Sequence, residues 1–119
     1  MKKYFVTIAT ITLLAACGGN EPKQAPGTAA VNLDEQKGKE LIAKSDCLTC
    51  HKVDTKLVGP AYQDVAAKYT ADAATVSMLA DKVIKGGQGV WGQIPMTPHP
   101  LLQKPDVELM VKYVLSLKK

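Results

Sequence analysis

The sequence predicts an all-α domain of four or five short helices behind an N-terminal export segment. Three observations lead there. Apolar residues recur at helical spacing over 73–85 (Val76, Leu79, Val83, Ile84) and over 105–117 (Val107, Met110, Val111, Val114, Leu117). Proline and glycine fall between the periodic segments and mark their ends. No stretch alternates apolar and polar residues as a half-buried strand does, and no segment repeats.

In chain order, Lys2 and Lys3 form a basic start, and Tyr4 to Ala16 is an uncharged apolar run. That run is shorter than the ~20 residues of a bilayer-spanning helix, and it has the length of a signal-peptide core. It ends in Leu14-Ala15-Ala16-Cys17, which resembles a bacterial lipobox. The resemblance implies that residues 1–16 are removed and that Cys17 is acylated to anchor the protein. A plain secretory signal with Cys17 merely nearby is the alternative. Several acyl chains on one residue hold a membrane stably, whereas one chain is marginal at ~0.8 kcal/mol per buried CH₂. Gly18 rather than Asp follows, which by the same resemblance favours the outer membrane. Residues 17–32 are rich in Gly, Pro, Ala and polar residues and read as a flexible tether. The folded head is expected over 33–119.

Within the head, Asn32 and Glu35 have the form of a capping box opening a helix over about 33–45, with Lys44 in its last turn. Gly38 inside it suggests close contact with another helix, since glycine there costs ~1 kcal/mol against alanine. Pro60 suits the start of a helix over about 60–69. Asp72 is placed to cap 73–85, and Gly86-Gly87 stop that helix. Residues 86–104, with their glycines and prolines, read as a long structured loop. Pro105 opens the final helix, with Asp106 and Glu108 in its first turn and Lys118 and Lys119 at its end. Met78 and Met110, on helices among apolar neighbours, read as packing residues.

The chain has 15 basic and 11 acidic residues, and without Lys2 and Lys3 its balance falls from +4 to +2. Such mild charge leaves no nucleic-acid footprint. A head this small is marginal without a staple, and it is poor in aromatic residues.

The staple is suggested by "CLTCH", residues 47–51. Structural zinc needs four ligands, and adjacent Cys50 and His51 do not easily face one tetrahedral centre. A thioredoxin-like redox pair belongs where a strand meets a helix, although a structural disulfide fits an oxidising compartment. The C-x-x-C-H pattern accounts for all three residues as a c-type haem attachment point. Cys47 and Cys50 would become thioethers, and His51 would bind the iron. Burying several hundred Å² of apolar surface against haem, at ~25 cal/mol/Å², is worth on the order of 10 kcal/mol.

The partner opposite His51 is sought in "QIPMTPHP". Pro95 and Pro98 stiffen the backbone around Met96, so its thioether is held with little ordering entropy. His99 is the competing ligand, and two imidazoles would give a lower potential. An exposed loop histidine, or one bonding near the Met96 sulfur, are the other readings of His99.

With "CLTCH" and "GGQGVWGQIPM" in view, residues 33–119 resemble the short bacterial class I cytochromes c with His/Met ligation. The resemblance implies a cytochrome c fold of four to five short helices around one covalently bound haem c. It implies that the Pro60 carbonyl accepts a hydrogen bond from His51 Nδ1–H, and that the Trp91 indole reaches a haem propionate. It also implies that Gly38 and Ile42 cross Met110 and Tyr113. Relatives often carry an aromatic residue where Ile42 stands and Asn where His99 stands.

The function expected is single-electron shuttling between membrane-associated or periplasmic redox partners, by a monomer that is not itself an enzyme. Lys52, Lys56, Lys85 and Lys104 are candidates for steering a redox protein donor and acceptor. Alternatives are an electron-input haem subunit of a larger oxidase or reductase, and a haem-based sensor in which Met96 dissociates.

Overall fold

The computed structural model describes residues 26–119, with side chains from residue 33 onward. The expected signal segment, Cys17 and residues 18–25 of the expected tether lie outside the described residues. Four α-helices order the remainder: α1 (Pro26–Lys44), α2 (Tyr62–Lys68), α3 (Ala73–Lys85) and α4 (Lys104–Ser116). A short 3-10 turn, Cys47–Thr49, follows α1.

Two strands correct the reading of 86–104 as a loop. β1 (Gly87–Gly89) and β2 (Gly92–Met96) form an antiparallel hairpin, with Gly87 opposite Met96 and Gly89 opposite Gly92. The hairpin escapes a pattern search because its strands are three and five residues long and Gly, Gln and Pro make up six of their eight residues, with only Ile94 and Met96 apolar. What makes it possible is the backbone freedom of Gly89 (φ 98°) and Gly92 (φ 117°) on either side of the Val90-Trp91 turn.

Helix α1 begins seven residues before the expected start, so Asn32 lies inside a helix rather than capping one. Pro26 suits a first turn, and Ala29 and Ala30 are strong helix formers. Helix α2 begins at Tyr62 rather than Pro60, because the chain through Ala61 is extended (φ −62°, ψ 147°). Helix α3 matches its expected span, and the Asp72 carboxylate accepts a hydrogen bond from Thr75 N at 2.8 Å. Helix α4 is shifted by one residue.

The core gathers around α4, which packs against each of the other three helices. Val107 is its fully buried centre, joined by Ile42 of α1, Tyr62 of α2, Val76, Leu79 and Ala80 of α3, and Met110, Val111, Val114 and Leu115 of α4. Leu115 takes the buried place expected for Leu117, which is only partly buried. Met78 is also not a core residue: it is exposed on α3. No polar or charged residue is buried among the described residues.

Gly38 explains how α1 and α4 come so close. A Cβ there would collide with the Leu109 carbonyl oxygen, would lie 2.7 Å from its carbon, and would press on Tyr113. Ile42 continues the same contact one turn on, against the cluster holding Met110 and Tyr113. Two ion pairs lock α4 from outside: Lys112 Nζ to Asp34 Oδ2 of α1 at 2.7 Å, and Lys104 Nζ to Asp81 Oδ1 of α3 at 2.9 Å.

Candidate cofactor site

The segment after α1 winds one turn. Cys50 N donates to Cys47 O at 3.2 Å, and His51 N donates to the same carbonyl at 3.0 Å. This brings the two sulfurs to one side of a single turn. Cys47 is half-buried, Cys50 is exposed, and they are not bonded to each other. Burial pushes the Cys47 thiol above its ordinary range, and the adjacent Asp46 carboxylate adds to the effect. Among the described residues no three His, Cys, Asp or Glu side chains converge as a metal-ligand set.

His51 is held from three sides. Its Nδ1 lies 2.8 Å from Pro60 O. A carbonyl only accepts, so Nδ1 carries the proton and Nε2 keeps a lone pair. The carbonyl is itself positioned by main-chain bonds: Gly59 N donates to Cys50 O at 2.8 Å, and Tyr62 N donates to Lys52 O at 2.9 Å. Gly59 lies against the imidazole so closely that a Cβ there would come within 2.8 Å of Nδ1. The Tyr62 ring stacks on His51, with centroids 5.4 Å apart and planes 17° apart. Burial raises the Tyr62 phenol well above the usual tyrosine range.

Met96 ends β2 and is half-buried. Its carbonyl is packed against Gly86, which has φ 73°; a Cβ on Gly86 would lie 2.6 Å from Met96 O and 3.0 Å from Pro98 N. Glycine at 86 thus does more than end α3, because it lets the Met96 strand pass over the helix terminus. Trp91 sits in the hairpin turn, 39% exposed, with Lys68 Nζ 5.3 Å from its ring centroid.

These parts enclose one cavity. Cys47, Cys50, His51, Pro60, Trp91 and Met96 all line it, and its volume is about 470 Å³. Ligand pockets commonly run to ~300–1,000 Å³. Apolar side chains of Ile42, Val58, Val90 and Ile94 complete its walls. Val58, Val90 and Ile94 are 46%, 48% and 65% exposed, an apolar lining suited to an equally apolar face. Two thiols one turn apart, an imidazole with its tautomer set, a thioether and flat apolar walls fit haem c.

Several side chains differ from their expected settings. His99 is half-buried, with Nε2 3.2 Å from Asp46 Oδ1 and Nδ1 3.3 Å from Val83 O, two acceptors to either of which its ring N–H can donate, so it is not an exposed loop histidine. Lys85 and Lys104 both pair with the Asp81 carboxylate, at 3.7 and 2.9 Å. Lys56 does stand at the cavity, joined by Lys82, which sequence reading missed. It also missed the contacts of Gly59, Gly86 and Tyr62 with the site. The stop glycine before a ligand-bearing loop was the one signal available for Gly86.

A helical fold wrapped on such a cavity defines a haem-carrying electron-transfer protein. The cytochrome c family profile matches residues 35–118, and the chain belongs to that family. It is 48% identical over 77 residues to cytochrome c-551 of Allochromatium vinosum, covering 65% of this chain and 82% of that protein. It is 45% identical over 78 residues to cytochrome c-551 of Pseudomonas aeruginosa, covering 66% and 74%. The crystal structure of wild-type Nitrosomonas europaea cytochrome c552 superposes with a TM-score of 0.63 at 42% identity, covering 67% of this chain and 99% of that one. The protein is thus a small extracytoplasmic electron carrier of the cytochrome c-551/c-552 kind, with covalent haem c, rather than an enzyme.

Proposed function

We propose that Cys47 and Cys50 would hold the haem as thioethers, that His51 Nε2 and the Met96 sulfur would bind its iron, and that acylated Cys17 ties the carrier to a membrane. The observation that carries the site reading is the His51–Pro60 bond of 2.8 Å, in a cavity that Cys47, Cys50 and Met96 share. When bound, haem c supplies a one-electron iron couple. Pro60 keeps His51 in the tautomer that can ligate and holds its ring in one orientation. The soft Met96 sulfur favours the reduced metal and so raises the potential. An iron given both the His51 imidazole and the Met96 thioether would keep no open site for a substrate, which suits outer-sphere transfer with little movement. Trp91, in the hairpin turn on the cavity wall, is assigned to a haem propionate.

In this reading, the lipobox-like Leu14-Ala15-Ala16-Cys17 supplies the anchor. Helix α1 already starts at Pro26, which leaves residues 18–25 as the link between anchor and head. Donor and acceptor proteins meet the cavity rim near Lys56 and Lys82, in small, weak encounters.

Optical spectra of the oxidised and reduced protein test the site. The pigment should stay with the protein in acid acetone, and the oxidised form should show the weak sulfur-to-ferric charge-transfer band. Pigment that extracts would overturn thioether attachment, and a missing band would overturn Met96. The anchor is tested by fractionating cells that express Cys17→Ser. The variant should leave the membrane fraction, and unchanged membrane retention would rule out acylation at Cys17.

A further inference from the structure

His99 and Asp46 stand 53 positions apart in sequence and meet on the cavity wall. Asp46 immediately precedes Cys47 and offers its backbone carbonyl to Thr49 N at 3.0 Å, at the opening of the attachment turn. His99 follows Met96 by three residues. Its Nε2 lies 3.2 Å from Asp46 Oδ1, and its Nδ1 lies 3.3 Å from Val83 O near the end of α3. Its backbone N–H donates to Val83 O at 3.2 Å and to Ile84 O at 3.1 Å. The His99 side chain is only 19% exposed, against 75% for Asp46. The ring is therefore seated against α3 and reaches across to the turn that bears the cysteines.

We propose that His99 is a positioning residue for Met96, forming with Asp46 a clasp that holds the methionine-bearing segment against the attachment turn. The inference rests on Met96 being an iron ligand. Met96 lies on an exposed hairpin whose two strands pair only with each other. A segment so held can swing away, and its tendency to do so depends on what fastens its far end. Gly86 packs against the Met96 carbonyl and Pro98, and His99, the next residue, is bonded both to the end of α3 and to the cysteine turn. Gly86 and His99 seat the segment on α3, and only the bond to Asp46 ties it to the attachment turn.

The experiment is competition by imidazole for the ferric iron of the holoprotein, read as apparent affinity by optical titration. Imidazole enters only when the methionine leaves, so its apparent affinity reports the population with Met96 displaced. Asp46→Ala should raise that affinity about two- to fivefold, in line with a partly exposed bond. His99→Ala should raise it at least as much, and the double variant should match His99→Ala alone. Asp46→Asn should stay close to the unaltered protein, because its amide oxygen still accepts from the His99 Nε2–H. A role confined to general stability would lower the melting temperature and leave imidazole affinity where it was. Met96→Ala serves as the reference and should raise affinity far more than any of these. If Met96→Ala has no effect, Met96 is not the ligand and the clasp falls with it. If Met96→Ala acts but Asp46→Ala and His99→Ala do not, or if their effects simply multiply in the double variant, the ligand assignment stands and the clasp is overturned.

Discussion

The two walls of the cavity are built differently. The His51 wall is short-range: Cys47, Cys50, His51, Pro60 and Tyr62 lie within sixteen consecutive positions, bound by Gly59 N to Cys50 O, Tyr62 N to Lys52 O and Gln63 N to Val53 O. The imidazole is fixed before any distant helix is considered. The Met96 wall is long-range. It is an exposed hairpin that leans on α3 through Gly86 and His99, and on the cysteine turn through Asp46. The imidazole therefore belongs to a rigid unit, and the thioether to the part of the protein that can open.

Substitutions can break this contrast. The largest effect is expected for Met96→Ala, which should open the iron to small ligands and lower the reduction potential on the order of a tenth of a volt or more, given that axial ligands span ≈ 0.8 V. Titration with imidazole and redox potentiometry measure both. Next comes the pair Gly86→Ala and Gly59→Ala. Alanine at 86 meets both a positive φ and the Met96 carbonyl, so the charge-transfer band should weaken while the haem stays attached. Alanine at 59 presses directly on the His51 ring and should shift the potential with the Met96 band retained. If the two variants gave the same spectrum, the walls would not be independent. Gly38→Ala lies outside the cavity. It should cost about 1–3 kcal/mol by overpacking the α1–α4 crossing, seen as a fall in melting temperature of about 4–8 °C per kcal/mol with the spectrum unaltered.

The smallest effect concerns pH. The Tyr62 phenol is raised in the folded protein chiefly by burial, with a further contribution from Tyr113. As pH climbs past ~10 the unfolded chain ionises at this residue first. Its contribution is complete below about pH 10 and is lost as pH rises above that. Tyr62→Phe keeps the stack on His51 and should flatten the alkaline decline in denaturant midpoint. An unchanged decline would place the alkaline sensitivity elsewhere.

The contrast also sorts what could be read from sequence. The attachment turn was legible because its residues are neighbours and their spacing is one helical turn. Helices α3 and α4 were legible through their apolar periods and through Asp72, Gly86 and Pro105. The start of α1 was misplaced because Asn32 and Glu35 mimic a cap within a longer helix. The hairpin was invisible because glycines with positive φ, not β-forming side chains, permit it. His99 looked like surface because its partners, Val83 and Asp46, lie 16 and 53 positions away.

Sequence alone determined the helical class, and it singled out Cys47, Cys50 and His51 as the residues proposed to hold haem and Met96 as the residue to examine opposite them. Local spacing and side-chain chemistry suffice for those, since each depends on one turn or one element. Only the tertiary structure decided that Gly38 lets α1 and α4 touch, that Gly59 and Tyr62 confine the imidazole, and that Asp46 and His99 meet. Those contacts depend on which elements fold together, and a linear pattern carries no measure of distance between residues far apart along the chain.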